Sequence, residues 1–140
     1  MTAATVYALA LAMVAPGCSL PPGTPSATAS TSSPTSPTTE TFSGTLVVRG
    51  SSLGTFSVVQ AGAVTVTIND LGAPANTAVG LGVGTLVAGT CSFSVSNLSA
   101  VAGSAAQITT TEMPGQYCVE IYDVGALTTA ATFAISIDHS

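Results

Sequence analysis

The side chains of this 140-residue chain best suited to chemistry are three cysteines, one histidine and six acids. Once Cys18, near the N-terminus, is set apart, Cys91 and Cys118 make an even pair, and in an exported domain such a pair is expected to be a disulfide. Two thiols joined only by His139 make a poor zinc set, because structural zinc normally takes four N or S ligands. Asp70, Glu112 and Asp123 are the candidate hard-oxygen ligands for Ca²⁺, although no EF-hand loop or repeated Asp spacing accompanies them. Acid–base catalysis has little to work with. His139 is the penultimate residue, where chains tend to fray, and no Lys can replace it as a base. A Ser-His-Asp set would have to be built around that end, so the chain reads as non-enzymatic.

Other motifs resolve into local structure. Gly80-Leu81-Gly82-Val83-Gly84 has the glycines of a phosphate loop, but they alternate with apolar residues and no helical pattern follows. The segment reads as a strand whose glycines allow another backbone or a ligand to come close. Asn97-Leu98-Ser99 matches a glycosylation acceptor, and Thr65 with Thr67 forms a Thr pair of the kind any half-exposed strand carries. Gln116, Tyr122 and the Thr-rich strands are the candidate ligand surface, suited to hydrogen bonding and stacking.

Bulk composition narrows the partners. Charged residues are 5% of the chain, against about 25% in an ordinary soluble domain. With Arg49 as the only Lys or Arg, no basic surface exists to neutralise a row of phosphates, which excludes nucleic-acid binding and charge-driven adhesion to anionic lipid.

These residues must be positioned by three compositionally distinct segments. Residues 1–17 contain the apolar run Ala3 to Ala15, too short for a membrane-spanning helix and matched to the core of a signal peptide. Ala15-Pro16-Gly17-Cys18 resembles a bacterial lipobox, which implies that Cys18 becomes the lipidated N-terminus of the mature chain and anchors it to the membrane. Residues 18–41 are dominated by Pro, Ser and Thr and are expected to form a disordered tether, because they have no apolar periodicity and cannot bury a core.

Residues 42–140 are expected to fold as an antiparallel, jelly-roll-like β-sandwich of about eight strands. The expected strands are Phe42 to Arg49, Thr55 to Gln60, Val64 to Asn69, Thr77 to Val83, Cys91 to Asn97, Gln107 to Thr111, Tyr117 to Asp123 and Thr132 to Asp138. Alternation is clearest in Val64-Thr65-Val66-Thr67-Ile68, Tyr117-Val119-Ile121 and Phe133-Ile135-Ile137. Applied to Cys91, the same rule puts it with Phe93 and Val95 on the core face, whereas Cys118 goes with Glu120 and Tyr122 on the other. The bond is then easiest if Cys91 stands at a strand end, where pleat alternation is not yet established.

Over Phe42 to Ile137 the chain resembles the bacterial pre-peptidase C-terminal domain. The resemblance rests on Phe42-Ser43-Gly44-Thr45-Leu46, Phe56-Ser57-Val58, Pro114-Gly115-Gln116-Tyr117-Cys118-Val119-Glu120-Ile121 and Ala131-Thr132-Phe133-Ala134-Ile135. It implies a β-sandwich appended to exported proteins that assists targeting, adhesion or substrate contact. Where that family often carries an acidic Asp-x-Asp-Leu run, this chain has Ala78-Val79-Gly80-Leu81. The reading as a whole is an exported envelope lipoprotein whose sandwich is a binding or structural module. The alternatives are a carbohydrate- or protein-binding adhesion module and a calcium-stabilised accessory domain.

Overall fold

The computed structural model describes residues 36–140. The expected signal peptide, Cys18 and most of the expected tether lie outside the described residues. Eight strands follow one another: β1 (Thr38–Leu46), β2 (Ser51–Val58), β3 (Gly62–Leu71), β4 (Val79–Val87), β5 (Thr90–Ala100), β6 (Ile108–Glu112), β7 (Gly115–Tyr122) and β8 (Ala131–His139). They form two antiparallel four-stranded sheets, ordered β1-β8-β3-β6 and β2-β7-β4-β5. Only β4 and β5 are both consecutive in the chain and paired. Every other connection passes from one sheet to the other, which is the wiring of a jelly roll.

The core follows from the alternation. Val64, Val66 and Ile68 of β3, with Phe133, Ile135 and Ile137 of β8, face Val79, Leu81 and Val83 of β4 and Tyr117, Val119 and Ile121 of β7; all are buried. Each such aliphatic or aromatic side chain taken from water contributes roughly 1.5–3 kcal/mol, most of it offset by the entropy of ordering the chain. Trp is absent, so the large rings of the core are few. Phe56 carries two ring contacts, with Tyr117 and with His139, each at 5.7 Å between centroids.

Strand boundaries differ from expectation where long-range pairing or a turn decides them. β1 begins at Thr38, four residues ahead of Phe42, because Thr38 to Thr41 pair with His139 to Ser136 of β8. β1 also ends at Leu46 and does not run to Arg49. The Gly50 amide donates to the Val47 carbonyl, and Arg49 takes a left-handed φ of 58°, which closes the turn into the opposite sheet.

Gln107 shows how one polar side chain supports an irregular edge. Its Oε1 accepts from the Ile68 amide at 2.6 Å, beside the register shift between Ile68 and Asp70, and its Nε2 donates to the carbonyls of Val101 and Ala105. The β3–β6 ladder ends at Val66↔Ile108, so the Ile68 amide, on the side whose carbonyl accepts from Gly103, has no strand partner and takes Gln107 instead.

Candidate functional site

The cysteines meet as expected: Cys91 and Cys118 form a disulfide with Cα atoms 5.8 Å apart. Their strands are not neighbours, since β4 lies between β5 and β7. Both cysteines belong to the outer face of that sheet, and this corrects the assignment of Cys91 and Phe93 to the core. Between the pairs Val83↔Val95 and Gly84↔Phe93 the register shifts by one residue on β5. The extra residue, Ser94, donates its hydroxyl to the Val83 carbonyl at 3.1 Å. A one-residue bulge exchanges the faces of everything beyond it. Val95 therefore packs against the core while Phe93 is 40% exposed. Cys91 is also the second residue of β5, but the bulge removes the phase conflict.

Gly84 makes this possible. A β-carbon there would run into the Ser92 carbonyl and the Phe93 Cα, because the β5 backbone folds over the outer face of β4 at this point. The other two glycines of the Gly-x-Gly-x-Gly segment seat rings. A β-carbon at Gly80 would meet the Tyr122 ring, and one at Gly82 the Phe93 ring. Those two rings lie 5.9 Å apart between centroids, with planes within 12° of parallel. Two residues before Tyr122 on the same face of β7 stands Glu120, whose register partners are Gly82 on β4 and Leu53 on β2.

Four of the six carboxylates are held by the fold. Asp138 accepts from Thr39 and Thr65, and Glu112 accepts from Thr110. Glu40 pairs with His139 Nε2 at 2.9 Å. Asp123 Oδ2 accepts from the Arg49 amide, and its Oδ1 accepts from the amides of Gly125, Ala126 and Leu127. Glu120, half-buried, makes no hydrogen bond or ion pair among the described residues, and neither does exposed Asp70.

The Arg49 amide, followed by those of Leu127, Gly125 and Ala126, holds the Asp123 carboxyl below the ordinary carboxylate value of 3.8, against the opposing effect of desolvation. A depressed folded-state pKa means that the unfolded chain binds the proton more readily. The stabilisation is present above the unfolded value and is lost as the pH falls through the folded one. Asp123→Ala is therefore expected to melt at a lower temperature than the wild type at pH 7. The gap should narrow as melting curves are taken at successively lower pH, below about 4.

Asp70, Glu112 and Asp123 do not converge. Asp70 sits near the C-terminal end of β3, opposite Ala134, whereas Glu112 pairs with Gly62 at the other end of that strand. Asp123 follows β7 in the second sheet and is occupied by backbone amides. Among the described residues, no group of three or more His, Cys, Asp or Glu is placed to hold a metal ion. Gln116 and Tyr122 share the outer face of β7 but are six residues apart, roughly 20 Å along an extended strand. Gln116 bonds instead to Ser57 Oγ.

His139 also departs from expectation. It is 4% exposed and lies at the end of β8, not in a frayed terminus. Tyr117, buried beside Phe56, donates its hydroxyl to the Met113 carbonyl at 2.8 Å. Burial, and secondarily the nearby Glu112, push its pKa above the ordinary 10.0. In the sequon, Asn97 Nδ2 donates to the Gln107 carbonyl and its Oδ1 accepts from the Ser99 amide, so the acceptor amide is engaged within the fold.

Glu120 and Phe93 are the residues that sequence reasoning did not single out. Glu120 alternates with Tyr122 in the sequence, but its lack of a partner is a tertiary fact. Phe93 reads as core until the bulge is known. Together these features define a disulfide-bonded, eight-stranded β-sandwich of jelly-roll wiring with an aromatic and carboxylate cluster on one outer face. No family model matches the chain, and no curated protein matches it in sequence.

Proposed function

We propose that this protein is a non-enzymatic, exported envelope lipoprotein: residues 1–17 direct export, Cys18 carries the lipid, the Pro/Ser/Thr segment spaces the domain, and the sandwich presents a binding surface. The observation that carries the reading is the Cys91–Cys118 disulfide, since such bonds persist in oxidising compartments outside the cytoplasm and are rare within it. The leader and Cys18 precede the sandwich in the order a lipid-anchored export product requires. Resemblance to the pre-peptidase C-terminal domain adds an accessory module, working by contact and not by chemistry.

Cell fractionation with mass analysis of the N-terminus tests it. The wild type is expected in the membrane fraction with an acyl mass on Cys18, and Cys18→Ser is expected to leave that fraction. Unchanged membrane association of Cys18→Ser, with no acyl mass on the wild type, overturns the anchor.

A further inference from the structure

We propose that Phe93, Tyr122 and Glu120 form a binding platform for a neutral polysaccharide of β-linked hexopyranoses. The inference deepens the preceding reading and rests on the sandwich being an extracytoplasmic binding module. The two rings lie over glycines two residues apart on one face of β4, with planes within 12° of parallel, so they sit side by side as a floor, not a box. A cation is best held by rings that surround it, whereas a flat floor suits the C–H face of a pyranose whose hydroxyls are equatorial.

The seating of the rings is built into the backbone. A glycine inside a strand is destabilising by roughly 0.5–1 kcal/mol relative to alanine, yet Gly80 and Gly82 leave the space that the two rings fill. Phe93 remains 40% exposed despite this seat. Beside the rings stands a half-buried carboxylate with no partner among the described residues, in a chain whose fold engages four of its other five. Glu120 is an acceptor only, so its ligand must donate. The Tyr122 hydroxyl likewise makes no hydrogen bond among the described residues and can both donate and accept. A sugar chain offers this combination: apolar ring faces to stack, and hydroxyls at the ring edge to donate to Glu120. With a single Arg and no Lys in the whole chain, no row of cations is available to hold a polyanion.

Native affinity gels containing hydroxyethylcellulose or mixed-linkage β-glucan test the proposal, using the protein purified from whichever cell fraction holds it. The wild type should be retarded in at least one of these gels. Phe93→Ala and Tyr122→Ala should each weaken binding at least about tenfold, and Glu120→Ala about fivefold or more. Glu120→Ala should keep the wild-type melting curve, because the Glu120 carboxylate makes no hydrogen bond or ion pair among the described residues; it decides the matter if either ring variant fails to fold. No retardation of the wild type in either gel, Glu120→Ala binding as the wild type does, or displacement from the gel by choline chloride each overturns the proposal. Loss of the Cys18 anchor leaves the gel result untouched, so the two readings fail separately.

Discussion

Replacing Cys91 and Cys118 together with Ala is expected to destabilise the domain by about 3.5 kcal/mol, the chain-entropy value for the loop closed by residues 27 apart in sequence. For a domain of this size, that lowers the melting temperature by roughly 15–25 °C. The effect has a structural side as well. The bond joins two strands that flank a third, so it presses β5 over the outer face of β4 and holds the bulge at Ser94 in place. Without it, the Phe93 ring loses its seat beside Tyr122, and the platform should loosen before the sandwich unfolds. Denaturant titration of the oxidised wild type, the reduced wild type and the double variant measures the stability. Equal midpoints for all three would show that the loop is already constrained in the unfolded chain.

Gly84→Ala is expected to cost about 3 kcal/mol or more, at the upper end for a single added methyl group. The obstacle is the Ser92 carbonyl and the Phe93 Cα, both main-chain atoms, so no rotamer change relieves the clash and β5 itself must move. Gly103→Ala is the control. It adds the same group where no atom lies within 4 Å, at a φ outside the left-handed region, and should change stability by less than about 1 kcal/mol. Because Gly84 and the disulfide constrain the same stretch of β5, their effects should not add. In the background lacking both cysteines, Gly84→Ala should cost clearly less than in the wild type. A cycle in which the two costs sum would mean that the β5 backbone is held over Gly84 by something other than the bond.

The legibility of the fold varied with the range of the interaction. The eight strands were readable because a β-branched run with period two is a local property, and Val64 to Ile68 or Phe133 to Ile137 needs no distant partner to declare its buried face. Boundaries set by pairing were not readable in the same way. Thr38 to Thr41 look like the Pro/Ser/Thr segment before them, and become strand only because β8 offers an unpaired edge. The same holds for His139: its place next to the last residue reads as a fraying end, and Glu40 and Phe56 hold it in the fold.

The candidate site divides along the same line. The strand content, an even pair of cysteines in the folded domain and the scarcity of positive charge are all readable from the residues alone. Those are properties of composition and local periodicity, which need no distant contact. Only the fold brings Cys91 and Phe93 to the outer face, keeps Asp70, Glu112 and Asp123 apart, and leaves the Glu120 carboxylate without a partner among the described residues. The physical reason is the bulge opposite Gly84. Alternation predicts a face only while the register is unbroken, and the register breaks where a backbone contact between β4 and β5 admits one extra residue.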